Sequence, residues 1–222
     1  MQTSGLNEMT RQILIAAWLV VSIQFASVAH GDLLPGVLTN FQDGSVQGWS
    51  GGAVFNISNS GPLGTGDNSL RLSNGGPGNN FAMFNQGING VISPSVSAIT
   101  SDIFRPSGEG SAEMRLVLFD LSGTRWTSTN AVNVVDDNLW HGFSFSILQS
   151  ALTRVNGTGS YTDLTTGLER IMFRFDAGAP SSSGSSLNGT MNFDNITAIP
   201  EPTSVLLLAN ALIFGFSFRR RR

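Results

Sequence analysis

The chain of 222 residues contains no cysteine and no lysine, and its 12 basic residues, all arginine, are outnumbered by 15 acidic residues. The absence of cysteine excludes disulfide bonds, so a hydrophobic core or a bound ion must stabilise the fold. Residues 30–198 hold 13 of the acidic residues and seven of the arginines. This negative balance argues against nucleic acid and anionic membrane surfaces as partners.

The N-terminus has the three-part layout of a secretory signal peptide. Arg11 precedes an apolar run over residues 13–25, and Ser27 and Ala29 follow as small residues in the spacing that signal peptidase reads. We therefore predict a signal-peptide helix within residues 1–29, cleavage after Ala29 and export of the mature chain. An uncleaved N-terminal membrane anchor is the alternative interpretation.

Residues 30–198 are predicted to form one all-β domain, large enough to bury a core. Apolar and polar side chains alternate over most of this region, a period typical of antiparallel strands with one face on a core. The predicted strands include residues 96–104, 114–119, 143–147, 171–175 and 191–199. Glycine-rich turns between them favour a single antiparallel β-sandwich. Within it, we expect at most a helical turn at residues 147–152 and a flexible loop at residues 181–186.

Three features follow one another at the C-terminus. The motif Pro200-Glu201-Pro202 precedes an apolar run over residues 203–218, and the run is followed by Arg219, Arg220, Arg221 and Arg222. The run can form a helix about 24 Å long, which is short for a bilayer core of about 30 Å. The arginines are expected to stay on the cytoplasmic side of the membrane. We predict a C-terminal transmembrane helix; a buried helix of a soluble domain is the alternative.

This order resembles the PEP-CTERM sorting tail of bacterial exported proteins, which follows a signal peptide and a variable body. The resemblance implies a tail over residues 199–222, with Pro200, Glu201 and Pro202 as the recognition motif and the terminal arginines as the stop. It also implies an exosortase-type processing enzyme as a partner. The protein would be anchored in the inner membrane before processing and would then reach the cell surface or extracellular matrix. Asn210 departs from a purely apolar helix.

Four short segments of the body carry a second resemblance. They are Asn40-Phe41-Gln42-Asp43-Gly44 with Gly48-Trp49, residues 64–72, residues 137–143, and Phe193-Asp194-Asn195-Ile196. Their order is similar to that of galactose-binding-like and carbohydrate-binding jelly-roll modules. The resemblance implies a jelly-roll-type sandwich in which the early segment and the closing strand meet in space.

The same resemblance implies a structural calcium ion that ties the two ends of the sandwich together. Its candidate ligands are Gln42 or Asp43, Asp67 and Asp194. A carboxylate that is closed to water needs a partner, and Ca²⁺ takes roughly six to eight oxygen ligands, some of them backbone carbonyls. Gln42 departs from the acidic residue often seen at its position. The alternative is that Asp194 caps a turn or pairs with an arginine.

Exposed aromatic side chains bind the apolar face of a sugar ring, and Trp126 and Tyr161 are the candidate ligand-binding residues. Trp126 follows Arg125 in a predicted hairpin, and Tyr161 lies in a polar segment, so we expect both to be exposed. Trp49 and Trp140 are candidates for either stacking on a sugar or packing in the core.

The sequence offers no set of catalytic residues. Glu109 and Glu113 are close in sequence but do not make the pair of carboxylates that a glycosidase needs. We therefore predict a non-enzymatic exported protein that binds extracellular polysaccharide in an exopolysaccharide or biofilm matrix. The alternatives are a structural surface or matrix protein without a discrete ligand, and a jelly-roll glycoside hydrolase that uses Glu113.

Overall fold

The computed structural model describes residues 32–74 and 80–201. In chain order its strands are β1 (Gly36–Thr39), β2 (Trp49–Gly51), β3 (Ala53–Ile57), β4 (Ser69–Asn74), β5 (Ala82–Asn85), β6 (Val96–Phe104), β7 (Ala112–Asp120), β8 (Arg125–Ser128), β9 (Val132–Val134), β10 (Trp140–Ser146), β11 (Leu152–Asn156), β12 (Leu168–Phe175) and β13 (Gly189–Pro200). A 3₁₀ turn, Gln149–Ala151, and a short helix, α1 (Tyr161–Thr166), lie between strands.

The strands form two antiparallel sheets. The six-stranded sheet has the order β10-β6-β13-β4-β3, and β1 also pairs with β13. The seven-stranded sheet has the order β11-β8-β7-β12-β5-β2, and β9 also pairs with β7. The predicted single antiparallel β-sandwich is therefore confirmed.

Aromatic side chains from both sheets meet in the core. The ring of Phe173 on β12 lies 5.6 Å from that of Trp49 on β2, measured between centroids. From the opposite sheet, Phe145 and Phe193 approach the same ring to 5.3 and 5.6 Å. Each ring is almost fully buried. Such pairs add about 0.5–1.5 kcal/mol beyond the burial of their area, so this cluster fixes how the two sheets stack.

The last strand is the central strand of its sheet. β13 pairs with β6 on one side; on the other it pairs with β4 as far as Phe193 and with β1 from Ile196. It continues to Pro200, past the predicted domain boundary at Ala198, and the backbone N–H of Glu201 still bonds to the carbonyl of Ser95 (2.7 Å). The first two residues of the predicted sorting motif thus adjoin the sheet.

Helix α1 was not predicted from the sequence. Ser160 accepts a bond from the backbone N–H of Asp163, and the Asp163 carboxylate accepts one from the backbone N–H of Ser160, which is a capping box. The 3₁₀ turn, by contrast, falls where a helical turn was predicted.

The loop over residues 176–187 is fastened to the sheet, although a flexible segment was predicted at residues 181–186. Arg115 donates to the carbonyl of Gly178, and Arg174 donates to those of Ser181 (2.7 Å) and Ser182 (3.2 Å). This loop therefore covers part of the outer face of the seven-stranded sheet.

The predicted signal-peptide helix and transmembrane helix fall outside the described residues, as do Pro202 and the four terminal arginines. Within residues 32–74 and 80–201, the helices are too short and too polar to cross a membrane.

Candidate functional site

A buried carboxylate lies on the closing strand at the point where its neighbour changes. Asp194 is placed between the end of the β4 pairing and the start of the β1 pairing, and its side chain is fully buried. Its Oδ1 accepts a bond from the backbone N–H of Asn195 (2.7 Å). Its Oδ2 has no hydrogen-bond partner among the described residues.

Asp67 and Gln42 lie beside this carboxylate. A Cβ built on Gly61 would collide with the Asp67 carboxylate and lie 3.0 Å from Asp194 Oδ2, so both acids face Gly61. Gln42 donates from Nε2 to Asp67 Oδ1, and its Oε1 accepts from the backbone N–H of Asn68 (3.3 Å). The structure thus brings Gln42, Asp67 and Asp194 into one chain of contacts.

The fourth candidate ligand, Asp43, does not join them. Asp43 is exposed, and its Oδ1 accepts bonds from the backbone N–H and the hydroxyl of Ser45, both at 2.9 Å. These bonds hold the pKa of Asp43 below its usual value. A short acidic side chain in a turn satisfies the nearest backbone donor first, which is why Asp43 caps its own turn instead.

The turn before Gln42 is strained and firmly held. Phe41 has a φ of 60°, a value that side chains rarely adopt. Gln47 Oε1 accepts from the backbone N–H groups of Asn40 (3.0 Å) and Phe41 (3.1 Å), and Asn56 donates to the carbonyl of Phe41 (2.8 Å). Such strain persists only where surrounding contacts enforce it, and here it orients Gln42 toward Asp67.

Burial raises the pKa of Asp194, the bond from the backbone N–H of Asn195 lowers it, and the negative charges of Asp67 and Asp102 raise it, so that the pKa is about 7. In the described part of the chain, no arginine nitrogen lies within 4.0 Å of the Asp194 carboxylate. The alternative in which Asp194 pairs with an arginine is therefore not found there. The carboxyl group therefore needs either a proton or a bound cation.

Three of the four oxygens of this carboxylate pair accept bonds from N–H groups of Gln42, Leu63 and Asn195, and Asp194 Oδ2 has no partner among the described residues. In residues 32–74 and 80–201, no three His, Cys, Asp or Glu side chains are arranged to hold a metal. Two carboxylates with neutral oxygens suit Ca²⁺, which accepts amide and carbonyl ligands, better than Zn²⁺, which prefers nitrogen and sulfur. The unpartnered Oδ2 of Asp194 and the adjacent Asp67 and Gln42 fit such an ion.

A cleft of about 340 Å³ opens on the outer face of the seven-stranded sheet. Strand alternation places its side chains: Ile171 and Phe173 of β12 face the core, so Arg170, Met172 and Arg174 face outward. These three residues line the cleft together with neighbours from β5, β7 and β8. Those neighbours include Phe84 on β5, Phe119 on β7 and Arg125 on β8.

Two arginines stack on aromatic rings inside this cleft. The Arg170 guanidinium lies 4.1 Å from the centre of the Phe119 ring and 5.3 Å from that of Phe84. The Arg125 guanidinium lies 5.3 Å from the Phe119 ring. An arginine on an aromatic face keeps its charge and its in-plane donors, so the cleft presents apolar and hydrogen-bonding surface side by side.

Trp126 is not exposed, contrary to the prediction. Its neighbour Arg125 faces the cleft, so alternation turns Trp126 into the core, where 8% of its surface remains accessible. Tyr161 is not in an exposed loop either. It begins α1, donates its hydroxyl to the carbonyl of Ile147 (2.9 Å) and meets the Trp126 ring edge-on at 6.1 Å. Neither residue lines the cleft.

The other two tryptophans also pack against protein. Trp49 is 2% exposed, and its indole N–H donates to Thr39 Oγ1 (3.2 Å). Trp140 is half-buried and contacts Phe104, with ring centroids 5.6 Å apart. The core-packing interpretation therefore holds for Trp49, and Trp140 packs at a sheet edge.

The glutamates considered for a hydrolase are used elsewhere. Glu113 accepts a bond from the backbone N–H of Gly178 (2.6 Å), and Glu109 accepts one from that of Thr190 (2.7 Å). No carboxylate lines the cleft among the residues that the structure describes. The cleft therefore does not present the pair of carboxylates that a glycosidase uses.

A second groove of about 390 Å³ lies over the six-stranded sheet. Phe143, half-buried, is its one aromatic side chain among the described residues, and Asp102 and Asn195 are bonded to each other within it (2.9 Å). With fewer free donors and less aromatic surface, it is the weaker candidate for a ligand site.

Solved carbohydrate-binding modules have a similar fold. A family 11 module from Clostridium thermocellum, in complex with a β-1,3-1,4-mixed-linked tetrasaccharide, gives a TM-score of 0.52 at 17% identity over 75% of this chain and 97% of that chain. A module described as specific for non-crystalline cellulose gives 0.50 at 17% identity, covering 78% and 98%. A xylan-binding domain from Paenibacillus barcinonensis gives 0.50 at 14%, covering 76% and 96%.

Neither the models of known protein families nor the curated proteins contain a match to this chain. At identities this low, the similarity to solved structures shows the fold alone. The chain therefore has the two-sheet β-sandwich fold of these carbohydrate-binding modules.

Sequence reasoning missed the residues of the cleft. Phe84, Arg170 and Phe119 belong to three strands that are far apart in sequence, and only the order of the sheet brings them together. The one available signal was the alternation in β12, which marks Arg170 and Arg174 as outward-facing arginines on an otherwise apolar strand.

Proposed function

We propose that the chain is an exported, non-enzymatic glycan-binding protein. The observation that carries this proposal is the cleft on the seven-stranded sheet, where Phe84 and Met172 offer apolar surface beside the donors of Arg125 and Arg170. Sugar rings have an apolar face and a rim of hydroxyl groups, so a binding site needs both kinds of contact. The fold shared with carbohydrate-binding modules supports the same function.

The test measures retention of the full-length protein on polysaccharides by affinity gel electrophoresis. Phe84→Ala is expected to weaken retention by about tenfold if stacking contributes near 1.4 kcal/mol. Phe55→Ala is the matched control, because Phe55 is a partly exposed phenylalanine on the other sheet. No retention of the wild type on any polysaccharide would favour the structural matrix protein. Release of reducing sugar that stops in Glu113→Gln would favour the hydrolase.

We also propose that Asp67, Asp194 and Gln42 hold a structural calcium ion. The unpartnered, buried Oδ2 of Asp194 supports this, as does its junction between β4 and β1. An ion bound only by the folded state raises the melting temperature. Adding Ca²⁺ to chelator-treated protein should therefore raise the Tm of the wild type but not that of Asp194→Asn. If the Tm of the wild type were the same with and without Ca²⁺, the proposed calcium site would be wrong.

For sorting, we propose that Pro200, Glu201 and Pro202 with the terminal arginines direct anchoring and later processing by an exosortase-type enzyme. The order of motif, apolar run and basic terminus in the sequence supports this. Cell fractionation is the measurement. The wild type should appear in the membrane as a precursor and outside the cell as a shorter product, whereas replacement of the Pro-Glu-Pro motif by alanines should leave only the precursor.

A further inference from the structure

Positive charge is concentrated on one face of an acidic protein. Residues 30–198 contain seven arginines, and four of them stand on the outer face of the seven-stranded sheet or at its cleft. These are Arg115, Arg125, Arg170 and Arg174. Three of the seven arginines, Arg125, Arg170 and Arg174, line the one cleft.

Two of the four are neutralised within the protein. Arg174 pairs with Asp176 at 2.9 Å, and Arg115 lies 3.8 Å from the same carboxylate. Both also donate to carbonyls of the loop, Arg115 to that of Gly178 and Arg174 to that of Ser181. These two arginines therefore serve to fasten the loop over the sheet, and their charges are largely compensated.

The other two have no acidic partner. Every acidic side chain of the chain except Glu8 lies in the described residues, and none of these carboxylates comes within 4.0 Å of Arg170 or Arg125. Arg125 makes one hydrogen bond, from Nη1 to the carbonyl of Ser182 (2.7 Å). The Nε–H groups of both arginines are buried and unpartnered within the described structure.

Both free guanidiniums approach one ring. Arg170 and Arg125 each stack on Phe119, although like charges repel at this range. Burial lowers the pKa of neighbouring Arg174; Asp176 opposes this shift, and the positive charges of Arg125 and Arg115 add to it. Crowded, uncompensated cations of this kind are stable when an anion joins them, since charge-assisted bonds to guanidinium are strong and directional.

We infer that the glycan recognised in this cleft is anionic, and that Arg170 and Arg125 bind its carboxylate or sulfate groups beside Phe84 and Phe119. This inference rests on the proposed glycan-binding function and narrows the class of its ligand. Phe119 is 3% exposed beneath the two guanidiniums, whereas Phe84 is half-buried. Arg170 lies 5.3 Å from the Phe84 ring, so a sugar ring that contacts Phe84 also meets the guanidinium.

The experiment measures binding of the full-length chain, purified in non-ionic detergent, to three soluble polymers. Polygalacturonate carries carboxylates, dextran sulfate carries sulfates, and hydroxyethyl cellulose is neutral. Binding to one or both charged polymers, with little binding to the neutral one, is expected. Raising NaCl from about 0.05 to 0.5 M should weaken that binding, because salt screens charges across an open cleft. Comparing the two charged polymers identifies the acidic group.

Charge-removing variants locate the site. Arg170→Gln and Arg125→Gln are each expected to lower the affinity by about tenfold or more, as for loss of a charge-assisted bond. Arg71→Gln is the matched control, because it removes one positive charge from the six-stranded sheet, where Arg71 bonds Asn192 (2.9 Å). Its affinity should equal that of the wild type. Melting curves identify any variant that fails to fold, and Arg170→Lys, which keeps the charge, should retain part of the affinity.

The outcomes separate this inference from the proposed function. Stronger binding to hydroxyethyl cellulose than to either acidic polymer would be consistent with glycan binding but would contradict the inference that the glycan is anionic. Unchanged affinity for the acidic polymers in folded Arg170→Gln and Arg125→Gln would overturn the site. Equal binding of single-stranded poly(dT) would overturn the recognition of sugar. Binding to none of the polysaccharides would overturn the proposed function as well.

Discussion

Asp194 makes the stability of the metal-free protein depend on pH. The pKa of its carboxyl group is about 7 in the folded chain and has the ordinary value of 3.8 when unfolded. Between these values the unfolded state releases its proton while the folded state keeps it, so stability falls as pH rises from about 4 to 7. The full effect above pH 7 approaches about 4 kcal/mol.

Asp194→Asn should therefore abolish this pH dependence. In the presence of a chelator, the urea midpoint of the wild type should decrease between pH 5 and 8, whereas that of Asp194→Asn should change far less. Ca²⁺ should oppose the wild-type decrease, because the ion must displace the proton and so binds more tightly as pH rises. If the urea midpoints of the two proteins changed with pH in parallel in the presence of chelator, Asp194 would be ionised in the folded protein and its pKa would not be raised.

Trp126 is expected to act through the core. Trp126→Ala should lower the free energy of unfolding by about 3–5 kcal/mol, as for other large-to-small changes at buried aromatics. The Trp126 and Tyr161 rings meet edge-on, and the Arg154 guanidinium lies 5.9 Å from the centre of the Trp126 ring. Urea unfolding measures the change. A variant with the stability of the wild type and no glycan retention would instead support the stacking role predicted from sequence.

At the scale of elements, the loop over residues 176–187 depends on one carboxylate. Asp176 is 1% exposed and faces the buried Arg115 and Arg174. Asp176→Asn leaves two buried cations without a counter-charge, so we expect a loss of about 3–5 kcal/mol. Asp137→Asn is the control, because Asp137 and its partner His141 are each more than a third exposed, and such surface contacts contribute little to stability. Equal losses in the two variants would contradict a buried network.

Strands were predictable from alternation, and their partners were not. The predicted strand at residues 96–104 coincides with β6, and that at residues 191–199 lies within β13. Alternation reports which side chains share a face, so it marks strands wherever one face is buried. It carries no information about which strands are neighbours, and this is why the cleft was missed. Helix α1 was not predicted because its six residues are too few to establish a helical period.

The candidate ligands of the proposed calcium ion show the same limit. Gln42, Asp67 and Asp194 were chosen through a family resemblance, and the fold brings them together. Asp43 was chosen through the same resemblance, as the alternative to Gln42, whereas Trp126 was chosen from its place beside Arg125 in a predicted hairpin. Neither argument from the sequence can tell that Ser45 binds Asp43 or that Arg125 takes the outward position beside Trp126.

At the scale of the whole molecule, the six-stranded sheet requires its last strand. β13 contacts β1, β4 and β6, so its removal leaves three strands without their shared neighbour. A chain that ends at Asn188 should fail to show a cooperative thermal transition. A chain that ends at Glu201 should melt much as the wild type does, since β13 and its backbone bond to Ser95 are retained. Circular dichroism measures both, and cooperative melting of the shorter chain would contradict the central role of β13.

The order in which the ribosome makes this polypeptide bears on the export proposed above. The strand at the middle of one sheet is translated after all its neighbours, so the nascent polypeptide lacks that strand until residues 189–200 have been made. If the chain is exported as proposed, translocation machinery that threads extended chains would receive the polypeptide before this sheet has closed. The sheet would then close on the far side, and its last strand ends at Pro200, where the predicted recognition motif begins.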